Sequence, residues 1–189
     1  MFNKKIVLGS SSPRRIELIK NLGFVCEVRK KEVEEIYPSD MDAEKVPAYL
    51  SELKAQPLKD AIQTNEVLLT SDTVVVLNNR ILEKAENAKE AKDMLLDLSG
   101  KNHEVITGVH LYNPDKKMSF TVKTKVFFKT LTLAEIDYYI KHFQPFDKAG
   151  AYGIQEWIGQ IGVQKIEGCF YNVMGLPVNK VWETLHREF

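Results

Sequence analysis

Two arginines stand where a helix is predicted to begin. Ser12 suits the position before the helix and Pro13 its first residue, which places Arg14 and Arg15 in the opening turn. The positive end of the helix dipole disfavours cations there by about 0.3–1 kcal/mol. Free backbone N–H groups and the Ser10 hydroxyl lie in the same segment, so the pattern fits a phosphate-binding turn. A pair of solvated surface arginines explains these residues, taken alone, equally well.

Asp72 lies within the most apolar stretch of the chain. Residues 67–69 precede it and residues 74–77 follow it, and both runs consist of Val and Leu. A buried carboxylate without a partner is costly, so a metal ligand or a general base is one interpretation. A lone Asp is more often a strand-end residue that accepts backbone hydrogen bonds. A nearby anion site favours the functional interpretation.

Four other residues could take part in binding or chemistry. Lys54 lies on a predicted helix, Lys84 precedes another helix, and Glu35 belongs to a carboxylate pair in an acidic loop. Solvent exposure explains each of these three at least as well. Gln155 ends a Gly-rich stretch at 147–155, whose small residues suit close approach to a flat ligand. Its amide could pair with the edge of a base, although an ordinary surface loop is the alternative.

The elements that must position these residues alternate between strands and helices. Residues 144–168 are predicted to be irregular apart from a short strand at 161–166. A long hairpin interrupts the alternation, which favours a mixed-sheet α/β or α+β domain over a purely parallel one. The predicted strands cover 6–8, 24–28, 67–77 and a hairpin at 103–130, and the predicted helices cover 13–22, 43–62 with a break before Pro57, 88–98, 132–143 and 177–187.

Composition narrows the classes of function. A chain of 189 residues has room for one domain, or for two lobes around one cleft. Its 26 basic and 26 acidic residues give no net charge, which argues against nucleic acid as a partner. Cys26 and Cys169 form no C-x-x-C pair, so they suit a reducing compartment better than a zinc site. Because no apolar run approaches the roughly 18 residues of a membrane span, we expect a soluble cytoplasmic protein.

Taken in order, several segments resemble the signatures of the Maf family of nucleoside triphosphate pyrophosphatases. A single segment is a weak signal, but this many in order along nearly the whole chain is specific. The stretch that ends at Gln155 resembles the mark of the dTTP/UTP-type branch. The matching segments are SSSPRR at 10–15, LKA at 53–55, SDTVV at 71–75, residues 98–109, DKAGAYGIQ at 147–155 and GCFYNVMGLP at 168–177.

The resemblance implies a fold and a set of roles. The fold is α/β, with a mixed central sheet in two lobes around a cleft, similar to the inosine triphosphate pyrophosphatases, and residues 1–189 form one catalytic unit. A divalent cation, Mg²⁺ or Mn²⁺, and often a homodimer belong to the same pattern. The implied roles are triphosphate binding by Ser10, Arg14, Arg15, Lys54 and Lys84, catalysis by Asp72, metal binding by Glu35 and Asp72, and base preference set by Arg14, Thr73 and Gln155.

The implied reaction is hydrolysis of dTTP or UTP at the α-phosphorus, which yields a nucleoside monophosphate and pyrophosphate. Two alternatives stay open: the same hydrolysis with another base, and a nucleotide- or nucleic-acid-binding regulator of cell division without turnover. One position departs from the family pattern. Ala85 follows Lys84 where the family usually has proline, so the loop lacks a fixed φ angle.

Overall fold

A computed structural model describes residues 2–189. Within them, seven strands form a mixed sheet with the strand order β2-β1-β3-β5-β6-β7, and β4 pairs with β3. The strands are β1 (Lys5–Leu8), β2 (Cys26–Val28), β3 (Glu66–Leu77), β4 (Arg80–Leu82), β5 (Asn102–Asn113), β6 (Lys116–Phe128) and β7 (Val163–Glu167). The helices are α1 (Pro13–Asn21), α2 (Val46–Ala55), α3 (Ala88–Leu98), α4 (Leu133–Phe143), α5 (Trp157–Gly162), α6 (Phe170–Val173) and α7 (Val178–Glu188), with 3₁₀ turns at Gln56–Ala61 and Pro145–Asp147.

The chain separates into two compact units. The first contains the described residues up to 73, with 107–122 and 175–189; the second contains 74–106 and 123–174. The predicted mixed α/β architecture is therefore confirmed. No helix in the described part of the chain is long and apolar enough to cross a membrane.

The first unit is built on parallel pairing around β1. Ile6 is level with Cys26 on one side and with Val67 on the other. Both neighbours are parallel, and the strands of parallel sheets are usually covered on both faces. Ile6, Val7 and Leu8 are fully buried, which explains the continuous apolar run of β1. Helix α2 approaches the sheet so closely that a Cβ at Gly108 would lie 2.3 Å from the backbone of Pro47. Only glycine permits this contact between β5 and α2.

The second unit packs α3 and α4 on antiparallel strands. Strand β4 pairs with β3, and β7 pairs with β6. Asn87 caps α3 by accepting a hydrogen bond from the Glu90 N–H, and Thr132 forms a capping box with Glu135 at the start of α4. The bounds predicted for these two helices are confirmed, because strong caps fix both starts.

One local expectation is confirmed and two change in the structure. The helix predicted at 43–62 ends at Ala55 and continues as a 3₁₀ turn, in agreement with the predicted break before Pro57. The segment 144–168 is less irregular than predicted, because α5 forms within it and β7 begins only at Val163. Gly159 obscured this helix in the sequence. A Cβ there would lie 1.9 Å from the Ile154 carbonyl oxygen, so close packing requires the glycine.

Candidate active site

Lys54 joins two carboxylates in the first unit. Its Nζ lies 2.5 Å from Asp72 Oδ1 and 2.9 Å from Glu35 Oε2. The Asp72 side chain is 11% exposed and that of Glu35 is 49% exposed, so Asp72 is the buried partner. Three residues that the sequence placed in separate segments therefore meet at one point.

Helix α2 and strand β3 hold this group together. The Thr70 hydroxyl donates a 2.6 Å hydrogen bond to the Ser51 carbonyl oxygen, which ties the strand to the helix. Thr70 and Asp72 are two residues apart on a strand, and Ser51 and Lys54 are three apart on a helix, so each pair shares a face. The buried Thr70 contact therefore holds α2 against β3 beside Asp72, where the Lys54 ammonium reaches the carboxylate.

Arg15 forms a second group in the same unit. It donates from Nε to the Gly175 carbonyl oxygen at 2.9 Å, from Nη2 to Thr73 Oγ1 at 3.1 Å and from Nη1 to Ser10 Oγ at 3.5 Å. Burial lowers the pKa of Arg15 and the charge of Asp72 raises it, and the guanidinium remains protonated. The structure thus brings Ser10, Arg15 and Thr73 together.

The opening turn of α1 lies beside Arg15. Ser12 occupies the N-cap position as predicted, but its side chain makes no capping hydrogen bond; instead, its N–H donates to Ser10 Oγ at 3.2 Å. Arg14 is half-buried in this turn, and its charge lowers the pKa of Arg15. The turn therefore holds two adjacent cations at the positive end of a helix, where an anion is stabilised.

Lys84 lies in the second unit and is exposed. Its backbone pairs with Ala149 in an isolated antiparallel bridge, and the Gly150 N–H donates to the Leu82 carbonyl oxygen at 3.1 Å. Ala85, which replaces the family's proline, is buried in the apolar core of the unit. The backbone pairing of Lys84 and the burial of Ala85 therefore hold this segment in place without the restriction that a proline ring would impose.

Gln155 also lies in the second unit, at the end of the Gly-rich loop. It is half-buried and lines a groove of about 530 Å³, a size typical of small-ligand sites. Three glutamines and one aromatic ring contribute to the groove wall. The lining residues are Ile154, Gln155, Gly159, Gln160, Val163, Gln164, Lys165, Ile166 and Phe170.

Sequence reasoning missed the side chains that hold this loop. The Tyr139 hydroxyl donates to Glu156 and accepts a 3.0 Å hydrogen bond from the Gly153 N–H. Lys148 Nζ lies 3.1 Å from Glu156 Oε1 and 2.6 Å from Asp147 Oδ1. In the sequence Tyr139 fits an ordinary apolar helix face, and Glu156 carries no signal except its place directly after Gln155.

A second tyrosine secures the loop from the other side. The hydroxyl of Tyr152 lies 2.7 Å from His103 Nε2, and both side chains are buried. Burial lowers the pKa of His103 to about 4, so the ring is neutral at pH 7. His103 lies within the middle block of the family pattern, and its contact gives that histidine a structural role.

Asp72 and Glu35 fit a divalent cation. Among residues 2–189 there is no cluster of three or more His, Cys, Asp or Glu side chains that could hold a metal by itself. Both carboxylates nevertheless converge on the Lys54 ammonium, so their oxygens already face one positive charge. Mg²⁺ commonly takes one or two carboxylates together with substrate phosphates. The pair therefore suits a metal that completes its shell with substrate oxygens and water.

A match to a protein-family model shows to which family this chain belongs. A family model described as Maf-like protein matches residues 5–188. The chain belongs to the Maf family. The resemblance inferred from the sequence motifs is thereby confirmed.

Curated relatives of this Maf chain cover 97–100% of it and carry the names of enzymes. A protein of Cytophaga hutchinsonii named dTTP/UTP pyrophosphatase is 47% identical over 100% of this chain and 86% of its own length. A protein of Bacteroides thetaiotaomicron with the same name is 46% identical over 97% of this chain and 95% of its own length.

A solved structure shares the fold of this Maf chain. The Staphylococcus aureus Ham1 protein aligns with a TM-score of 0.57 and 16% identity, over 98% of this chain and 100% of that one. At this identity the likeness shows the fold alone.

Proposed function

We propose that this Maf enzyme hydrolyses nucleoside triphosphates, preferably dTTP and UTP, to a nucleoside monophosphate and pyrophosphate. The observation that carries the proposal is the convergence of Asp72, Glu35 and Lys54, with the charges of Asp72 and Glu35 acting on nearby Arg15. The names of the relatives support the substrate.

Cations meet the first requirement of this reaction, which is to offset the negative charge of a triphosphate. Arg14, Arg15 and Lys54 lie in the first unit, and the N–H groups at the start of α1 add positive potential. Lys84 in the second unit is the fourth cation among the proposed phosphate ligands. Charge that is already in place when the leaving group departs stabilises the transition state more than charge that must reorganise.

Asp72 meets the second requirement, which is a group that accepts a proton from the attacking water. It is the most buried carboxylate of the convergent group, and Lys54 fixes one of its oxygens. We place water attack at the α-phosphorus, in line with the departing pyrophosphate, with Asp72 as the general base. A divalent cation held by Asp72 and Glu35, when bound, supplies further positive charge and makes water more acidic.

Gln155 is the proposed determinant of base preference, with Arg14 and Thr73. A side-chain amide offers one acceptor and two donors, which complement the imide edge of thymine or uracil. The groove that Gln155 lines is large enough for a base. Cytosine and purines present other patterns, and unpaired polar groups in a closed site cost about 1–3 kcal/mol each.

A nucleotide panel in ¹⁸O-labelled water tests the proposal. We expect pyrophosphate release with Mg²⁺ or Mn²⁺, fastest from dTTP and UTP, with the label in the monophosphate. Label in the pyrophosphate would show that water attacks the β-phosphorus instead. Orthophosphate as the first product would contradict the proposed cleavage, and tight nucleotide binding without turnover would favour the regulator.

A further inference from the structure

We propose that Tyr139, Lys148 and Glu156 form a positioning network that holds Gln155 for base recognition; this rests on the proposed function. None of the three needs to touch the substrate. All belong to the second unit, and two of the three lie within the loop or directly after it. The network acts through the backbone on either side of Gln155.

The network contains a buried charge. Lys148 is 8% exposed, and its ammonium contacts Glu156 at 3.1 Å and Asp147 at 2.6 Å. Tyr139 is fully buried and donates its hydroxyl hydrogen to Glu156. Well-packed apolar side chains usually stabilise a core as well as a buried ion pair does. Stability therefore gives little reason for a polar network here, whereas a fixed geometry does.

The network is hydrogen-bonded to the backbone on the N-terminal side of Gln155, and Glu156 follows Gln155 directly. The Gly153 N–H donates to the Tyr139 hydroxyl at 3.0 Å, and the Glu156 N–H donates to the Gly153 carbonyl oxygen at 3.0 Å. Gln155 lies inside this turn, one residue before the carboxylate. A Cβ at Gly153 would lie 2.8 Å from Glu156 Cδ, so the glycine lets the carboxylate close over the turn. Movement of Glu156 would therefore move Gln155.

The network is also connected to Lys84, another predicted phosphate ligand. Ala149 follows Lys148 directly and pairs with Lys84. The segment that carries Lys84 is thus attached to the loop that the network holds. Loss of the network is expected to affect base selection first and the Lys84 segment to a lesser extent.

Tyr139→Phe is the sharpest test, because it removes one hydroxyl and keeps the buried ring. Tyr138→Phe is the matched control, since this neighbouring ring is exposed and packs on Trp157. Glu156→Gln keeps an acceptor for Tyr139 and removes the charge opposite Lys148. The measurements are kcat and KM on dTTP, UTP and dCTP, together with hydrogen exchange at the Gly153 amide.

We expect Tyr139→Phe to raise the KM for dTTP by about 10- to 100-fold, because a misplacement of about 1 Å can cost about 100-fold. The preference for dTTP over dCTP should shrink, kcat should change little, and the Gly153 amide should exchange faster. Glu156→Gln should shift the same quantities in the same direction by less. The control should match the wild type in all of them.

Other outcomes would overturn the inference. One is a folded Tyr139→Phe protein with wild-type KM and selectivity; another is an equal loss of kcat on every nucleotide without a change in KM. If the wild type hydrolyses no nucleotide, the proposed function fails. The exchange rate of the Gly153 amide then tests by itself whether the network holds the backbone. An unchanged exchange rate in both variants would refute it. If Tyr139→Phe does not fold, Glu156→Gln provides the same readouts.

Discussion

The Lys54 ammonium lies closer to Asp72 than to Glu35, at 2.5 Å against 2.9 Å. Lys54 thus fixes the more buried carboxylate and contacts the more exposed one, whose loop precedes α2. Asp72 is oriented by an interaction within the protein. The carboxylate therefore does not depend on substrate for its alignment, which lowers the reorganisation needed during the reaction.

Asp72→Asn should lower kcat by about 10²- to 10⁴-fold, because it removes the proposed base while it keeps the size of the side chain. Folding should persist, as judged by circular dichroism. Asp97, whose side chain is 47% exposed and pairs with Arg80, provides the matched control Asp97→Asn. Near-normal turnover in folded Asp72→Asn protein would remove Asp72 from the mechanism.

Lys54→Met should leave two carboxylates facing each other without a cation. We expect a loss of about 1–3 kcal/mol in the free energy of unfolding without metal. Mg²⁺ should stabilise this variant more than the wild type, since binding to the folded state raises stability by mass action. Lys59→Met is the control, because Lys59 is similarly buried but lies 3.9 Å from its partner Glu52. Equal stabilisation by Mg²⁺ in wild type and Lys54→Met would argue against the shared metal position.

Arg14→Ala and Arg15→Ala should differ in stability. The helix-dipole argument alone predicts that both are neutral or slightly stabilising. Arg15, however, donates to Gly175, Thr73 and Ser10, so its loss should cost about 1.5–3 kcal/mol as measured by urea unfolding. Both variants should raise the KM for dTTP. If Arg15→Ala is as stable as Arg14→Ala, the three hydrogen bonds contribute no net stability.

Gln155→Ala should reduce the differences in kcat/KM between nucleotides by roughly ten- to a hundredfold. The variant should still hydrolyse each nucleotide. The exposed Gln160 of the same groove supplies the control Gln160→Ala. The measurement is the nucleotide panel at one metal concentration. An equal loss on every nucleotide would assign Gln155 to the phosphates or to the fold.

Acid should destabilise the protein through buried histidines. Burial lowers the pKa of His103 from 6.5 to about 4, so the unfolded chain binds the proton more readily than the folded one. This contribution to stability is complete above pH 6.5 and is lost as the pH falls toward 4. His110 behaves in the same way, because burial also lowers its pKa to about 4.

His103→Gln should therefore reduce the slope of unfolding free energy against pH between 6.5 and 5. One such histidine contributes up to about 1.4 kcal/mol per pH unit. Urea unfolding at several pH values measures the slope, and the exposed His142 supplies the control His142→Gln. An unchanged slope in His103→Gln would mean that His103 binds a proton equally readily in the folded and unfolded states.

Local chemistry made part of the fold predictable from the sequence. The caps at Asn87 and Thr132 fix helix starts within a few residues, and the Val-rich run around Asp72 marks a strand. Helix α5 was missed because its glycines meet tertiary demands that no local pattern carries. Strand β4 is only three residues long and leaves too short a pattern to recognise.

Residue types indicated candidates for the site but not the contacts between them. Arg14 and Arg15 stood out because they are cations at the positive end of a helix, and Asp72 because it is a carboxylate within an apolar strand. The contact between Lys54 and Asp72 joins residues 18 positions apart, and that between Arg15 and Gly175 joins residues 160 positions apart. Such contacts depend on the packing of elements, which residue types alone do not specify.

The close approach at Gly108 has a consequence for how mutations in this chain are interpreted. A methyl group there would displace the Pro47 backbone at the start of α2, and the same helix carries Lys54 in its last turn. A Gly108→Ala allele would then behave in a genetic screen as a loss of function, although the residue contacts no proposed substrate group. Intolerance in a mutational scan at this position would report helix placement rather than chemistry.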